Sequence, residues 1–198
     1  MAISDNLAPL SFASRDDWEA WLTVHGGASP GLWVKFAKKG CATPSVTKAD
    51  AIEAALCHGW IDGQLQPFDA DWFLTRFTPR RPKSLWSEVN RTTAIRLIAE
   101  DRMAAAGLAE VERAKADGRW DAAYTPQGRA EVPADLQMAL DGNPAALALF
   151  NELGATNRYA LIVRTHNTRK PEARAARIAK FVAMLARGET IYPHKAKP

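Results

Sequence analysis

Cysteine is scarce: Cys41 and Cys57 are the only two in 198 residues. They lack Cys-x-x-Cys spacing, and no histidine pair stands near either, which argues against a protein-built zinc site. The four histidines, His25, His58, His166 and His194, are scattered and show no H-x-x-x-H pair, so no metal ligand is assigned. Long apolar runs are missing too. None approaches the roughly 18 to 20 residues of a membrane span, so none is expected. The opening MAISDNLAPLSFASRDDW has neither the basic start nor the apolar stretch of a secretory signal. With so few thiols, the chain reads as cytoplasmic and without a structural disulfide. There is no G-x-S-x-G, no P-loop and no G-x-G-x-x-G, so no catalytic residue and no cofactor is assigned.

Apolar residues make up 47% and charged residues 24%, the composition of an ordinary globular protein. The length allows one large domain or two small ones. Net charge is +4 but unevenly spread. Residues 156–198 hold ten Lys or Arg against two Asp or Glu, while the first 155 hold sixteen against twenty. Such asymmetry fits either a basic face for polyanions or a solvated helix surface.

Patterning predicts an α+β fold, with a small antiparallel sheet packed by helices and a C-terminal helical region after it. Ser14 and Asp17 form a capping box for a helix over 14–25 that Gly26 and Gly27 end. GLWVKFAKKG alternates as a strand, with Leu32, Val34 and Phe36 on one face and Trp33, Lys35 and Ala37 on the other. Thr47 starts a helix reaching Cys57, whose thiol lies on the apolar side. WIDGQLQ and WFLTRFT, joined by PFDAD, read as a hairpin, with Ile61 and Leu65 on one face. Helices follow over 84–100 and 103–117, the first with Trp86, Val89, Thr93, Leu97 and Ile98 along one side. Four more fall after residue 133, punctuated by Gly142, Asn143-Pro144, Gly154 and Gly188. Tyr159, Ile162, Val163 and His166 mark the inner face of one, and Ile178, Phe181, Val182 and Leu185 that of the last. The expected organisation is an α/β domain over 1–118, a connector over 119–132 and a helical region over 133–198.

The stretch least explained by packing is RFTPRRPKSLWSEVNR, residues 76–91. Pro79 and Pro82 stiffen the backbone that displays Arg80 and Arg81. Ser84 is the expected N-cap of the next helix, whose N-terminus carries about half a positive charge. Arg76, Arg80, Arg81 and Lys83 crowded there call for a shared anion. That anion is either internal, from Asp62, Asp69 or Asp71, or a ligand phosphate or carboxylate held by guanidinium and amide donors. The ligand reading has Arg80 and Arg81 clamp the anion, with Lys83 adding field. Lys38 supplies a further cation, and Asp62 of GWIDG orients Arg76.

Two further readings stand beside a binding protein. One is an enzyme using Asp62 or His58 on an anionic substrate. The other is a nucleic-acid binder, using the basic C-terminal helices or the tryptophans near the strands, Trp33, Trp60, Trp72 and Trp86. Oligomeric state is not legible.

ALCHGWIDG, RFTPRRPKSLWSEVNR and the downstream KADGRW, VPADL and NPAALALF together resemble the bacterial YdeI/OmpD-associated (OmdA) proteins, often called bacteriocin-protection proteins. The likeness runs from about Trp18 to Gly188, with His58 where that pattern places an aromatic. Trp60 of GWIDG and Ser84, Trp86 and Asn90 of the basic corner complete the candidate ligand site. It implies an N-terminal α/β part of the YjbR/CyaY-like (frataxin-like) superfamily and a helical region after it, with a link to antimicrobial-peptide resistance and stress. It carries over no reaction. The acidic iron-binding ridge of frataxin relatives has no counterpart here, and a net +4 argues against direct capture of cationic peptides.

Overall fold

The structure, a computed structural model, describes residues 8–193. His194 lies outside the described residues. The chain forms two compact units: the described residues up to Trp86 together with Asn90–Asp121, and Ser87–Val89 together with the described residues from Ala122 on. Among the described residues no helix is long and apolar enough to cross a membrane.

The first unit is built on a four-stranded sheet. Its strands are β1 (Leu10–Ser11), β2 (Leu32–Ala37), β3 (Trp60–Pro67) and β4 (Trp72–Pro79), in the order β1-β2-β4-β3. β2, β4 and β3 are antiparallel neighbours as the alternation predicts, but the short β1 adds a parallel edge pair, Leu10 opposite Val34. A two-residue strand leaves no periodicity to read. On β2 the predicted faces hold: Leu32, Val34 and Phe36 are buried, and their alternates are half-buried. β3 breaks its period. A register shift between Asp62 and Leu65 sets Ile61 opposite Thr78 but Leu65 opposite Thr75, so those two lie on different faces rather than one. Asp69 Oδ1 accepts from the backbone N–H of Asp71 and Trp72 and closes the hairpin loop.

Helix α1 (Arg15–His25) starts at the predicted capping box, the Ser14 hydroxyl accepting from Asp17 N–H while the Asp17 carboxylate accepts from Ser14 N–H. Helix α2 (Lys48–Cys57) starts at Thr47, whose hydroxyl accepts from Asp50 N–H. Trp18, Leu22, Val34, Phe36, Ala51, Ala55, Trp60 and Phe77 form one core. The buried indoles are satisfied: Trp18 Nε1 donates to Ala51 O at 3.1 Å and Trp60 Nε1 to Gly26 O at 3.3 Å. Cys57 is buried, and burial pushes its thiol pKa up.

Helix α3 spans Glu88–Ala99, four residues later than its predicted start at Ser84. Ser84 instead closes a tight turn, its hydroxyl accepting from Arg81 N–H at 2.9 Å and its own N–H donating to Arg81 O at 2.8 Å. A serine that can cap a turn three residues back is indistinguishable in sequence from one that caps a helix ahead. Trp86 therefore belongs to the corner, and the side of α3 that is buried carries Ala94 and Leu97, while Val89 and Ile98 are exposed. Helix α4 (Ala105–Ala116) crosses α2 at Gly107, where a Cβ would stand 2.2 Å from Cys57 O.

The second unit is helical: α5 (Ala134–Asp141), α6 (Pro144–Glu152), α7 (Ala155–His166) and α8 (Pro171–Ala186). Asn143 caps α6 through Ala146 N–H at 3.1 Å, with Pro144 in the first turn as expected. Leu136, Leu140, Phe150, Leu161, Ile178, Phe181 and Leu185 make its core. On α7 the buried residues are Asn157, Leu161, Ile162 and Thr165; the predicted Val163 is half-buried and His166 exposed. Asn157 is polar, and its burial is explained by the two hydrogen bonds its side chain makes to the backbone of Tyr192.

Candidate anion site

The corner after β4 is fixed by its backbone first. Arg80 N–H donates to Gly59 O at 2.9 Å, which ties the basic stretch to the start of GWIDG. Gly59 sits at φ +74°, and a Cβ there would be 3.0 Å from Ala106 O and 3.1 Å from Glu110 Cγ, so glycine is required.

Onto this frame the chain turns one arginine inward. Arg80 is 5% exposed, and its guanidinium carbon lies 3.7 Å from the ring centroid of Trp86. Its Nη1 donates to Leu85 O at 3.2 Å. Trp86 is buried and meets Trp120 edge-on, with centroids 4.9 Å apart. A second arginine enters from the segment after α4. Arg119 is 8% exposed; its Nε donates to both oxygens of Asp117 at 2.8 Å and its Nη1 to Ser84 O at 2.7 Å. Two buried donors in this cluster have no hydrogen-bond partner, Arg119 Nη2 and Trp86 Nε1. Arg81 and Lys83 are exposed beside them, and among the described residues neither is paired with a carboxylate.

Of the predicted site residues, Arg80, Ser84 and Trp86 come together, with Arg81 and Lys83 on the same turn and Asn90 half-buried in the first turn of α3. Four others stand elsewhere. Trp60 is a core residue packed edge-on to Trp18 and Trp21. Asp62 is opposite Phe77 and so faces the helices, with Lys48 Nζ at 3.9 Å from its carboxylate. Arg76 is opposite Trp33 on the other face of the sheet and lies 5.9 Å from that ring. Asp62 therefore cannot orient Arg76: successive strand residues point to opposite sides. Lys38 sits at the far end of the eight-residue β4, roughly 25 Å away, where its Nζ donates to Asp69 O at 2.6 Å. Asp69 is engaged in its own hairpin loop. The internal carboxylate at the corner is Asp117.

Sequence patterning does not point to Arg119, Trp120 or Asp117. They lie in the Asp- and Gly-rich KADGRW, which reads as connector, with Arg119 35 residues beyond Ser84. An Arg-Trp pair inside such a stretch was the available signal. His58 ends α2 and is half-buried, and burial holds its pKa below the usual histidine value. The cations Arg174, Arg177 and Lys180 on α8 and Arg187 just after it divide evenly. Arg174 pairs with Asp135 and Arg187 with Glu189, whereas Arg177 and Lys180 are unpaired among the described residues.

Compared with known proteins, residues 10–110 match the family model described as "Domain of unknown function (DUF8412)". Residues 129–188 match the model described as "Bacteriocin-protection, YdeI or OmpD-Associated". No curated protein and no solved structure gives a match.

Proposed function

Because the chain belongs to the DUF8412 family and carries a YdeI/OmpD-associated match in its C-terminal part, we propose that it is a non-enzymatic binding protein that holds a small oxyanion at the first unit's basic corner. The observation that carries this is the pair of buried, partnerless donors, Arg119 Nη2 and Trp86 Nε1, beside two exposed cations, Arg81 and Lys83. An unsatisfied buried donor costs about 1–3 kcal/mol. A phosphate, sulfate or carboxylate oxygen satisfies both donors and gives the cations a counter-charge. Arg80, stacked on Trp86, acts as the fixed wall of this site, and Arg119 takes the clamping role first given to Arg80 and Arg81.

The enzyme alternative draws no support from Asp62, whose carboxylate faces Lys48 on the helix side of the sheet. The wider role in this proposal is bacteriocin protection, in the words of the family description matched by residues 129–188. The same proposal has it exercised in the cytoplasm through an anionic ligand and not by capture of a cationic peptide, and takes the first unit as a relative of the YjbR/CyaY-like superfamily.

Thermal unfolding in phosphate, sulfate and nucleoside phosphates tests this, against chloride at matched ionic strength. A ligand at about 100 times its Kd adds roughly 2.7 kcal/mol of stability, a shift of several degrees. The Arg81→Ala/Lys83→Ala pair, both exposed, should fold normally and lose most of that shift, and Trp86→Phe should reduce it. If no anion raises the melting temperature of the unmutated protein above the chloride control, the reading fails.

A further inference from the structure

A groove in the second unit has chemistry of its own. It encloses about 640 Å³ beside α8 and is lined by Ala173, Ala176, Phe181, Met184 and Ile191, with Arg164, Arg177 and Lys180 as its cations. From Ala173 to Met184 the lining runs about 16 Å along the helix, the reach of an extended dodecanoyl chain. The far wall is built deliberately. Asn157, 5% exposed, uses its whole side-chain amide to hold the segment after α8: Nδ2 donates to Tyr192 O at 3.1 Å and Oδ1 accepts from Tyr192 N–H at 2.9 Å. That clamp keeps Ile191 against the apolar floor.

Among the described residues the groove's three cations have no acidic partner to neutralise them: no carboxylate pairs with Arg164, Arg177 or Lys180, whereas Arg174 and Arg187 are each neutralised by an acid. We propose that this groove binds a fatty acid, its chain on Phe181, Met184 and Ile191 and its carboxylate on the cationic rim. A polyanion such as nucleic acid needs cations in a row and gains nothing from an apolar floor. A phosphate dianion favours donors converging on one point, whereas these three come from two helices, Arg164 from α7 and Arg177 with Lys180 from α8. A single carboxylate on an acyl chain matches an apolar floor that has unpaired cations beside it. This site is independent of the corner in the first unit, and either can fail alone.

Calorimetric titration of the full chain with dodecanoate, below its micelle concentration, tests the proposal. Binding should tighten at least tenfold from octanoate to dodecanoate. The Arg177→Ala/Lys180→Ala pair should weaken it roughly tenfold. Met184→Glu, at a half-buried position, should abolish it, and Ala179→Glu, on the opposite flank of α8, should leave it unchanged. Circular dichroism shows that each variant is folded before it is titrated. Equal binding of dodecanol or dodecyltrimethylammonium overturns the proposal. So does unchanged affinity in Met184→Glu, or displacement of dodecanoate by an oligonucleotide or by anionic phospholipid vesicles.

Discussion

The guanidinium of Arg80 lies over the indole of Trp86, 3.7 Å from the ring centroid, with Nη1 on the carbonyl of Leu85. A charged side chain 5% exposed is tolerated because the π-face and the carbonyl replace part of its hydration. The geometry depends on a planar cation. Lysine at this position keeps the charge but loses the stack and the fork of donors. Arg80→Lys should therefore lower unfolding stability by about 1–3 kcal/mol, read as a shifted urea midpoint at unchanged slope. Arg81→Lys, at an exposed position on the same turn, should leave the midpoint where it was. Equal effects from the two substitutions would refute the inward role given to Arg80.

At Gly107 the backbones of α2 and α4 touch. A Cβ there would lie 2.2 Å from Cys57 O and 2.8 Å from Leu56 O, both backbone atoms that cannot rotate away. Ala104 N–H donates to the same Cys57 carbonyl at 3.1 Å, so α4 cannot slide outward without breaking that bond. Gly107→Ala should cost more than about 3 kcal/mol despite alanine's better helix propensity, worth roughly 1 kcal/mol in the other direction. Gly154→Ala, where nothing lies within 4 Å, serves as the control and should stay within about 0.5 kcal/mol. A folded, equally stable Gly107→Ala protein would mean the two helices are not packed this way.

Much of this was readable in advance where one residue decides a local outcome. Ser14, Thr47 and Asn143 cap the helices they were expected to cap, because a side-chain oxygen and a following N–H need no distant partner. The alternation of β2 also survives, since a central strand between a helix layer and solvent leaves each side chain no choice of face. The errors arise where a second group, local or distant, competes. The sequence around Ser84 suits a helix cap, but its hydroxyl accepts from Arg81 N–H instead. Asp62 was assigned to Arg76, but the strand registers put them on opposite faces. Arg119 reaches the corner only through the return of the chain after α4, and nothing local in KADGRW announces that.

Glu53 gathers three arginines. It pairs with Arg96, and its other oxygen stands 3.5 Å from Arg15 and 3.6 Å from Arg102. These come from α1, α3 and the segment after α3, so one carboxylate on α2 links the surrounding helices. Single exposed pairs contribute little, but a 27% exposed hub serving three cations should be worth roughly 1 kcal/mol. Glu53→Gln keeps the shape and removes the charge. Its stability deficit should shrink as sodium chloride rises from about 0.01 M to about 1 M, where screening falls within a few ångströms. A deficit independent of salt would assign the loss to hydrogen bonding instead.

His58 supplies the pH dependence. It ends α2 with its ring half-buried, and burial is the main influence on it, disfavouring the imidazolium; the negative field of Glu19 acts in the opposite sense but is weaker. The folded-state pKa therefore lies below the 6.5 of an unperturbed histidine. A lowered basic pKa means the unfolded chain takes up the proton first. The contribution of His58 is thus complete above the unfolded value and is lost as pH falls from there toward the folded value. Urea midpoints measured from pH 7.5 down to pH 5, roughly the range in which histidine titrates, should fall faster for the unmutated protein than for His58→Gln. Acidic groups common to both proteins cancel in that comparison. A parallel pair of profiles would mean the ring is as well hydrated folded as unfolded, and the half-buried position at the end of α2 would have to be abandoned.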